Sequence, residues 1–287
     1  MKRKHPVLKS AALACATLAA GFGLYTFIHA PARPPQSLEY LPAKTTSTIE
    51  LVRTARAGEA GSELIKKSRD TNGQEVTFYD FSGETVGAPP KSFAAAVGNW
   101  LIGADGDNRV LVVDGRSWRR GVPSAGLADK ARALYGERYA EFLDNVKAYA
   151  YYPFAVATGI DNFKQGKISF RFKAIAGRID QGAGILFDLK PNGDYYALRA
   201  NPLENNLVLW RYKHGRRSSV SWVRNVNTPS RTWHTLTLTV KGKTVKGSVN
   251  GKHYLTSRLP APVSGRVGVW TKADSVIYFD DYRVINQ

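Results

Sequence analysis

In "DYYALRAN", Tyr195, Arg199 and Asn201 fall on one side of an extended strand, and Tyr196, Leu198 and Ala200 fall on the other. In "GRVGVWTK", Val267 and Val269 form one row, while Arg266, Gly268, Trp270 and Lys272 form the other. A surface carrying Tyr195, Arg199, Asn201, Trp270 and Lys272 sets aromatic planes beside hydrogen-bond donors. That combination suits a sugar: the ring covers an apolar C–H face, and the polar groups satisfy the rim of hydroxyls. The same residues allow a second reading, in which Trp270 packs beneath another segment and Arg199 pairs with an acid such as Asp188.

Other chemistries lack their motifs. There is no G-x-S-x-G elbow, P-loop or Rossmann glycine pattern. His214, His234 and His253 have no metal-ligand spacing, so neither a metal nor another cofactor is expected. "GADGDNRV" carries Asp105, Asp107 and Asn108 without the rest of a calcium loop, and a hairpin turn explains it. No local pair of carboxylates suggests glycoside cleavage.

The elements that must position such a surface are strands. "VTFYDF", "RVLVV", "ISFRFK", "AGILFDL", "DYYALRA", "LVLWRYK", "SVSWVR", "HTLTLTVK", "TVKGSVN", "GRVGVWT" and "SVIYFDDYRVI" are short and rich in β-branched and aromatic residues. "PNGD", "KGK" and "VNGK" separate them with hairpin-turn chemistry. The pattern predicts an all-β, two-sheet antiparallel jelly-roll sandwich over residues 76–287. Within it, 126–150 reads as a helical insertion, with Tyr139, Phe142, Leu143, Val146 and Tyr149 on one face. Residues 31–75 read as a polar linker with one short helix around 62–67.

Residues 1–30 open with Lys2, Arg3 and Lys4, followed by an apolar run over 11–28. This predicts an N-terminal hydrophobic helix serving as a signal peptide or signal anchor. The rest of the chain is then exported, to the periplasm or outside the cell, with residues 7–28 as an inner-membrane tether if uncleaved. Cys15 is the single cysteine, so no internal disulfide forms. The 287 residues carry a net charge of +18, and residues 205–273 hold 13 Lys and Arg with no Asp or Glu. Such a balance points to an anionic neighbour. Export makes that neighbour a cell-envelope polymer or membrane surface rather than nucleic acid.

The segments "GRIDQGAGILFDLKPNGDYYALRANPLENNLVLWRYKHGRR", "WHTLTLTVKGKTVKGSVNGK" and "GRVGVWTKADSVIYFDDYRV" resemble bacterial exported proteins of the 3-keto-disaccharide hydrolase-like domain family. The resemblance runs over roughly residues 78–284 and implies a laminin-G or concanavalin-A-like jelly roll. It also implies carbohydrate binding, or the processing of (3-keto-)glycosides by a hydrolase or lyase. The Glu-x-Asp-x-x-Glu strand of related jelly-roll glucanases is absent, which speaks against retaining glucanase chemistry. Cleavage beside a ketone needs a base and charge stabilisation. On this reading Asp180, Glu204 and Asp274 are the candidate bases, with Arg199 and Lys272 stabilising charge. The competing expectation is a non-catalytic envelope module that holds anionic polymers on a basic surface.

The closing strand carries Asp280 and Asp281, which face opposite ways unless a bulge intervenes. One of them is expected to bond backbone donors and lock the chain there.

Overall fold

The computed structural model describes residues 64–120 and 151–287. The apolar run over 11–28 and the insertion over 126–150 lie outside the described residues. Within them run β1 (Lys66–Arg69), β2 (Glu75–Tyr79), β3 (Phe93–Val97), β4 (Trp100–Asp105), β5 (Asn108–Asp114) and β6 (Phe154–Ala157). Then come β7 (Gly166–Ala176), β8 (Ala183–Leu189), β9 (Tyr195–Asn201), β10 (Asn206–Lys213) and β11 (Arg216–Arg224). The last five are β12 (Trp233–Lys241), β13 (Thr244–Val249), β14 (Lys252–Arg258), β15 (Arg266–Thr271) and β16 (Val276–Asn286). A 3₁₀ turn, Gly115–Arg120, follows β5.

These strands make two antiparallel sheets, the sandwich of a jelly roll. One has the order β1-β2-β16-β7-β12-β13-β14, with β5 also on β16 and β4 on β5. The other has the order β11-β10-β9-β8-β15-β6-β3. Strand β16 is central to the first sheet. One edge pairs with β5 through residues 276–279 and with β2 through residues 282–286, while the other pairs with β7.

Period-two burial builds the core between the sheets. Ile168, Phe170 and Phe172 of β7 and Leu236, Leu238 and Val240 of β12 point inward, against Ile185, Phe187, Leu198 and Leu209 of the second sheet. The second sheet is buried on its other face as well. There Phe154, Leu186, Tyr195, Trp210, Tyr212 and Trp270 form a separate apolar cluster. Burial on both sides explains why "AGILFDL" and "DYYALRA" read as nearly unbroken apolar runs.

The Asn-Gly turn between β13 and β14 places Asn250 at φ 49° and Gly251 at φ 78°, the left-handed pair of a type I′ hairpin. The Asp105–Asn108 step is a hairpin turn between β4 and β5. One expectation needs correction. Positions 62–67 do not form a helix where described: β1 starts at Lys66, an exposed edge strand held by β2, so the sheet begins inside the stretch expected to be linker. At Asp280 and Asp281 the bulge on which their facing depends is present. A bulge between Asp280 and Arg283, with Asp281 at φ 51°, brings both carboxylates toward Arg171, at 3.9 and 3.2 Å. Asp280 accepts the Asp281 N–H at 2.8 Å and the Asn108 amide at 2.7 Å, which pins the bulge.

Candidate functional site

The loop between β7 and β8 and the turn between β15 and β16 meet at one end of the central strands of the second sheet. Asp274, in that turn, is fully buried. Its carboxylate accepts three successive backbone N–H groups of the loop: Arg178 at 2.9 Å, Ile179 at 2.9 Å and Asp180 at 3.1 Å. Thr271 adds a hydrogen bond from its hydroxyl to the Gly182 carbonyl at 2.6 Å. The loop is thereby held against the end of β15, and Asp180 is carried over β9.

Asp180 is also fully buried, and it gathers donors from four directions. Lys272 Nζ lies at 2.7 Å, the Gly182 N–H at 2.7 Å, Asn201 Nδ2 at 3.2 Å and Arg199 Nη1 at 3.4 Å. Arg199, 1% exposed, turns its other terminal nitrogen to Glu204 Oε2 and to Asn206 Oδ1, both at 2.8 Å. The Asn206 amide donates to the same Glu204 oxygen at 2.8 Å. The result is an alternating chain of charge, Lys272, Asp180, Arg199, Glu204, whose positive and negative members balance. Charge-assisted bonds of this kind compensate for burial only when the lone pairs are well satisfied. Gly182 is part of the fit: a Cβ there would stand 2.8 Å from both Arg199 Cδ and Asp180 Oδ1. Gly182→Ala is expected to destabilise the fold by about 1–3 kcal/mol, the usual cost of overpacking, readable as a shift in the urea midpoint.

Six of the eight residues singled out from sequence therefore come together: Asp180, Arg199, Asn201, Glu204, Lys272 and Asp274. Asp180 and Asp274 are enclosed with their oxygens occupied by donors, so neither is placed to take a proton from a ligand. The sugar platform expected from Tyr195 and Trp270 is not at the surface. Trp270 is fully buried and Tyr195 is 1% exposed. Trp270 donates to the Tyr195 hydroxyl at 3.3 Å and stacks on Tyr152, while Tyr195 stacks on Tyr212 at 4.3 Å. Arg199 pairs with Asp180 and Glu204 rather than with Asp188, which binds Lys190 and the Ser264 N–H.

Glu204 is the member of the chain that reaches solvent, with its side chain 38% exposed. Partial burial alone would raise its pKa. The Arg199 hydrogen bond and charge, with help from Asn206 and Lys272, outweigh that and hold it below the usual glutamate value. It is thus an ionised acceptor, anchored through Oε2.

A cleft of about 540 Å³ opens beside it, lined by Glu204, Asn205, Asn206, Trp222, Arg224 and Asn225. The β10–β11 register sets Asn206 opposite Arg224 and Val208 opposite Trp222. Asn205 and Asn225 take left-handed conformations at φ 47° and 60°, which asparagine tolerates, and the Val226 N–H closes onto the Asn205 carbonyl at 3.0 Å. Trp222 is 47% exposed. Its ring meets Trp210 edge-on at 5.4 Å, and Trp210 is itself covered by the Arg217 guanidinium at 4.1 Å. An open indole, an oriented carboxylate, a guanidinium and amides thus share one opening.

Sequence reasoning missed Trp222, Arg224 and Asn206. The available signal was in "RRSSVSWVR", a strand with no continuous apolar row, which marks a sheet edge whose one large ring has no core to enter. Among the described residues, no three His, Cys, Asp or Glu side chains are grouped to hold a metal ion.

No family model and no curated protein matches the chain. Among solved structures it is similar to the carbohydrate-binding module CBM66 from Bacillus subtilis, at 9% identity and a TM-score of 0.48, covering 70% of this chain and 99% of that one. It is also similar to domain 4 of AbnA, a GH43 extracellular arabinanase from Geobacillus stearothermophilus solved with arabinotriose. There the identity is 12% and the TM-score 0.43, over 78% and 94% of the two chains. A Bacillus licheniformis β-glucanase matches at 11% identity and a TM-score of 0.35, over 47% of this chain and 71% of that one.

Proposed function

We propose that this protein binds carbohydrate, and that it does so in the cleft beside Glu204. The observation that carries the reading is the pairing of the exposed Trp222 ring with the fixed, ionised Glu204 carboxylate and the Arg224 guanidinium around one opening. The ring supplies a plane for the C–H face of a sugar; Glu204 accepts from its hydroxyls, Arg224 donates to them, and the asparagine amides can do either. Among the described residues lining the cleft there is one carboxylate, and Arg199 stands between it and Asp180, an arrangement that favours binding over two-carboxylate hydrolysis.

The test is glycan-array binding followed by titration calorimetry on the best ligand. Trp222→Ala is expected to weaken binding about 10- to 100-fold, as loss of an aromatic anchor does. Glu204→Gln should weaken it less and remove its pH dependence. The sign follows from the lowered pKa. Binding is full above the ordinary glutamate range and declines as pH falls through the depressed value. Stability contributed by Glu204 declines in the same window. Undiminished binding by both variants would displace the site from this cleft. Of the three acids considered as a base, Glu204 is the one open to solvent. Turnover of a 3-keto-glycoside, if present, would run through it, and Glu204→Gln would abolish that turnover.

A further inference from the structure

The nine-stranded sheet turns its outer face away from both the core and the cleft. Across five neighbouring strands, β16, β7, β12, β13 and β14, that face carries Arg283, Lys167, Lys241, Lys246 and Arg258. Their registry is regular. Lys167, Thr239, Lys246 and Thr256 lie directly across from one another, strand by strand. One row along are Lys241, Thr244 and Arg258, and one row back are Arg283, Ser169 and Thr237. At about 4.8 Å between strands and about 3.4 Å per residue, the five cations occupy roughly 19 by 14 Å.

Two further cations on this face are neutralised: Arg171 by Asp281 at 3.2 Å and Lys173 by Asp105 at 2.9 Å. The other five have no carboxylate partner among the described residues, and β12, β13 and β14 contain no acidic residue at all. The face is therefore a lattice of uncompensated positive charge with hydroxyl groups between its members.

We propose that this face binds an extended acidic polysaccharide. A continuous sheet face accepts a chain laid across its strands, its cations meet the carboxylates, and Thr239, Thr244 and Thr237 meet hydroxyls in between. The large exposed apolar side chains, Val86, Ile179, Leu203, Val220 and Trp222, all lie off these five strands, so nothing here inserts into a bilayer. The Trp233 ring is capped by Arg171 at 4.8 Å and offers no open plane to a nucleobase. The proposal stands apart from the cleft, which belongs to the other sheet.

The test uses the full chain and polygalacturonate, with binding measured between about 50 and 200 mM salt, where screening of charges near 10 Å apart sets in. The expected result is binding that weakens about tenfold or more over that range. A Lys246→Glu/Arg258→Glu variant should weaken it at least about tenfold at low salt, since both side chains are exposed and the fold is untouched. Reversing Lys213 and Arg216 instead, exposed cations at the far end of the β10–β11 hairpin from the cleft, should leave it nearly unchanged. Binding that ignores salt, survives the Lys246/Arg258 reversal or falls equally on reversal of Lys213 and Arg216 would overturn the proposal. So would tighter binding of duplex DNA or of anionic phosphatidylserine vesicles at equal charge concentration.

Discussion

Replacing Arg199 with methionine is expected to lower the unfolding free energy by about 3–5 kcal/mol, the usual cost of breaking a buried ion pair from one side. Arg199 is 1% exposed and bridges two carboxylates, so its removal strips Glu204 of its anchor and leaves Asp180 with Lys272, Asn201 and the Gly182 N–H. Lys272 stays on Asp180, which places the effect at the lower end. Arg199→Lys should recover little, because one ammonium cannot reproduce the fork that reaches Asp180, Glu204 and Asn206 together. Urea denaturation read by tryptophan fluorescence measures it. A second signature separates this loss from simple loss of packing: the pKa of Glu204 should rise toward the ordinary value. The share of the acid-side loss of stability that Glu204 contributes in the parent would then shrink, flattening the dependence on pH there. A change of less than about 1 kcal/mol would mean that the chain of ion pairs behaves like a solvent-exposed one.

Trp270→Ala carries the other large effect, about 3–5 kcal/mol, typical of deleting a large buried aromatic. The indole is fully buried, stacks on Tyr152 at 5.9 Å and donates to Tyr195. The vacated space is walled by Tyr152, Tyr212 and Tyr195, already engaged with one another, so collapse is limited. The consequence for ligand studies is direct. Lost binding in Trp270→Ala would come with a lowered melting temperature and would report on the fold. The same loss in Trp222→Ala should come with an unchanged one. Calorimetry on both variants distinguishes them, and an unaltered melting temperature in Trp270→Ala would contradict the buried placement of that ring.

Strand periodicity was enough to sort the two faces of β7, β9, β12 and β15, because a half-buried strand writes its environment in every second residue. It stopped short at the outer face of the second sheet. Tyr195 and Trp270 carry the alternation of a ligand platform, yet alternation is silent about whether another layer lies on top. Strands β3 and β6, "FAAAV" and "FAVA", were invisible because four or five small residues carry no distinctive period. β14 escaped because its bulge against β13 breaks the row.

The polar chain was half legible. Arg199, Asn201 and Lys272 share a side of their strands, but which acids they meet depends on chain segments far apart in sequence. Asp180 meets Lys272, and Asp274 meets the backbone at Arg178. Asp274 clasps three backbone N–H groups, a role that depends on a loop conformation and leaves no residue pattern.

The position of β16 has a consequence for how the chain acquires its structure. Tyr79 of β2 and Leu111 of β5 find their sheet partners, Tyr282 and Phe279, only when the last strand described here arrives. Until then the first hairpins and β7 each hold an unfilled edge, and the nine-stranded sheet exists as three unjoined parts, β1-β2, β4-β5 and β7-β12-β13-β14. A chain emerging in order from the N-terminus therefore completes this sheet by late insertion at its middle, where pairing is of long range and slow. Earlier segments stay open to aggregation or to chaperone capture for that whole interval. Truncation before Val276 should leave three permanently exposed strand edges, those of β2, β5 and β7, rather than a smaller sandwich.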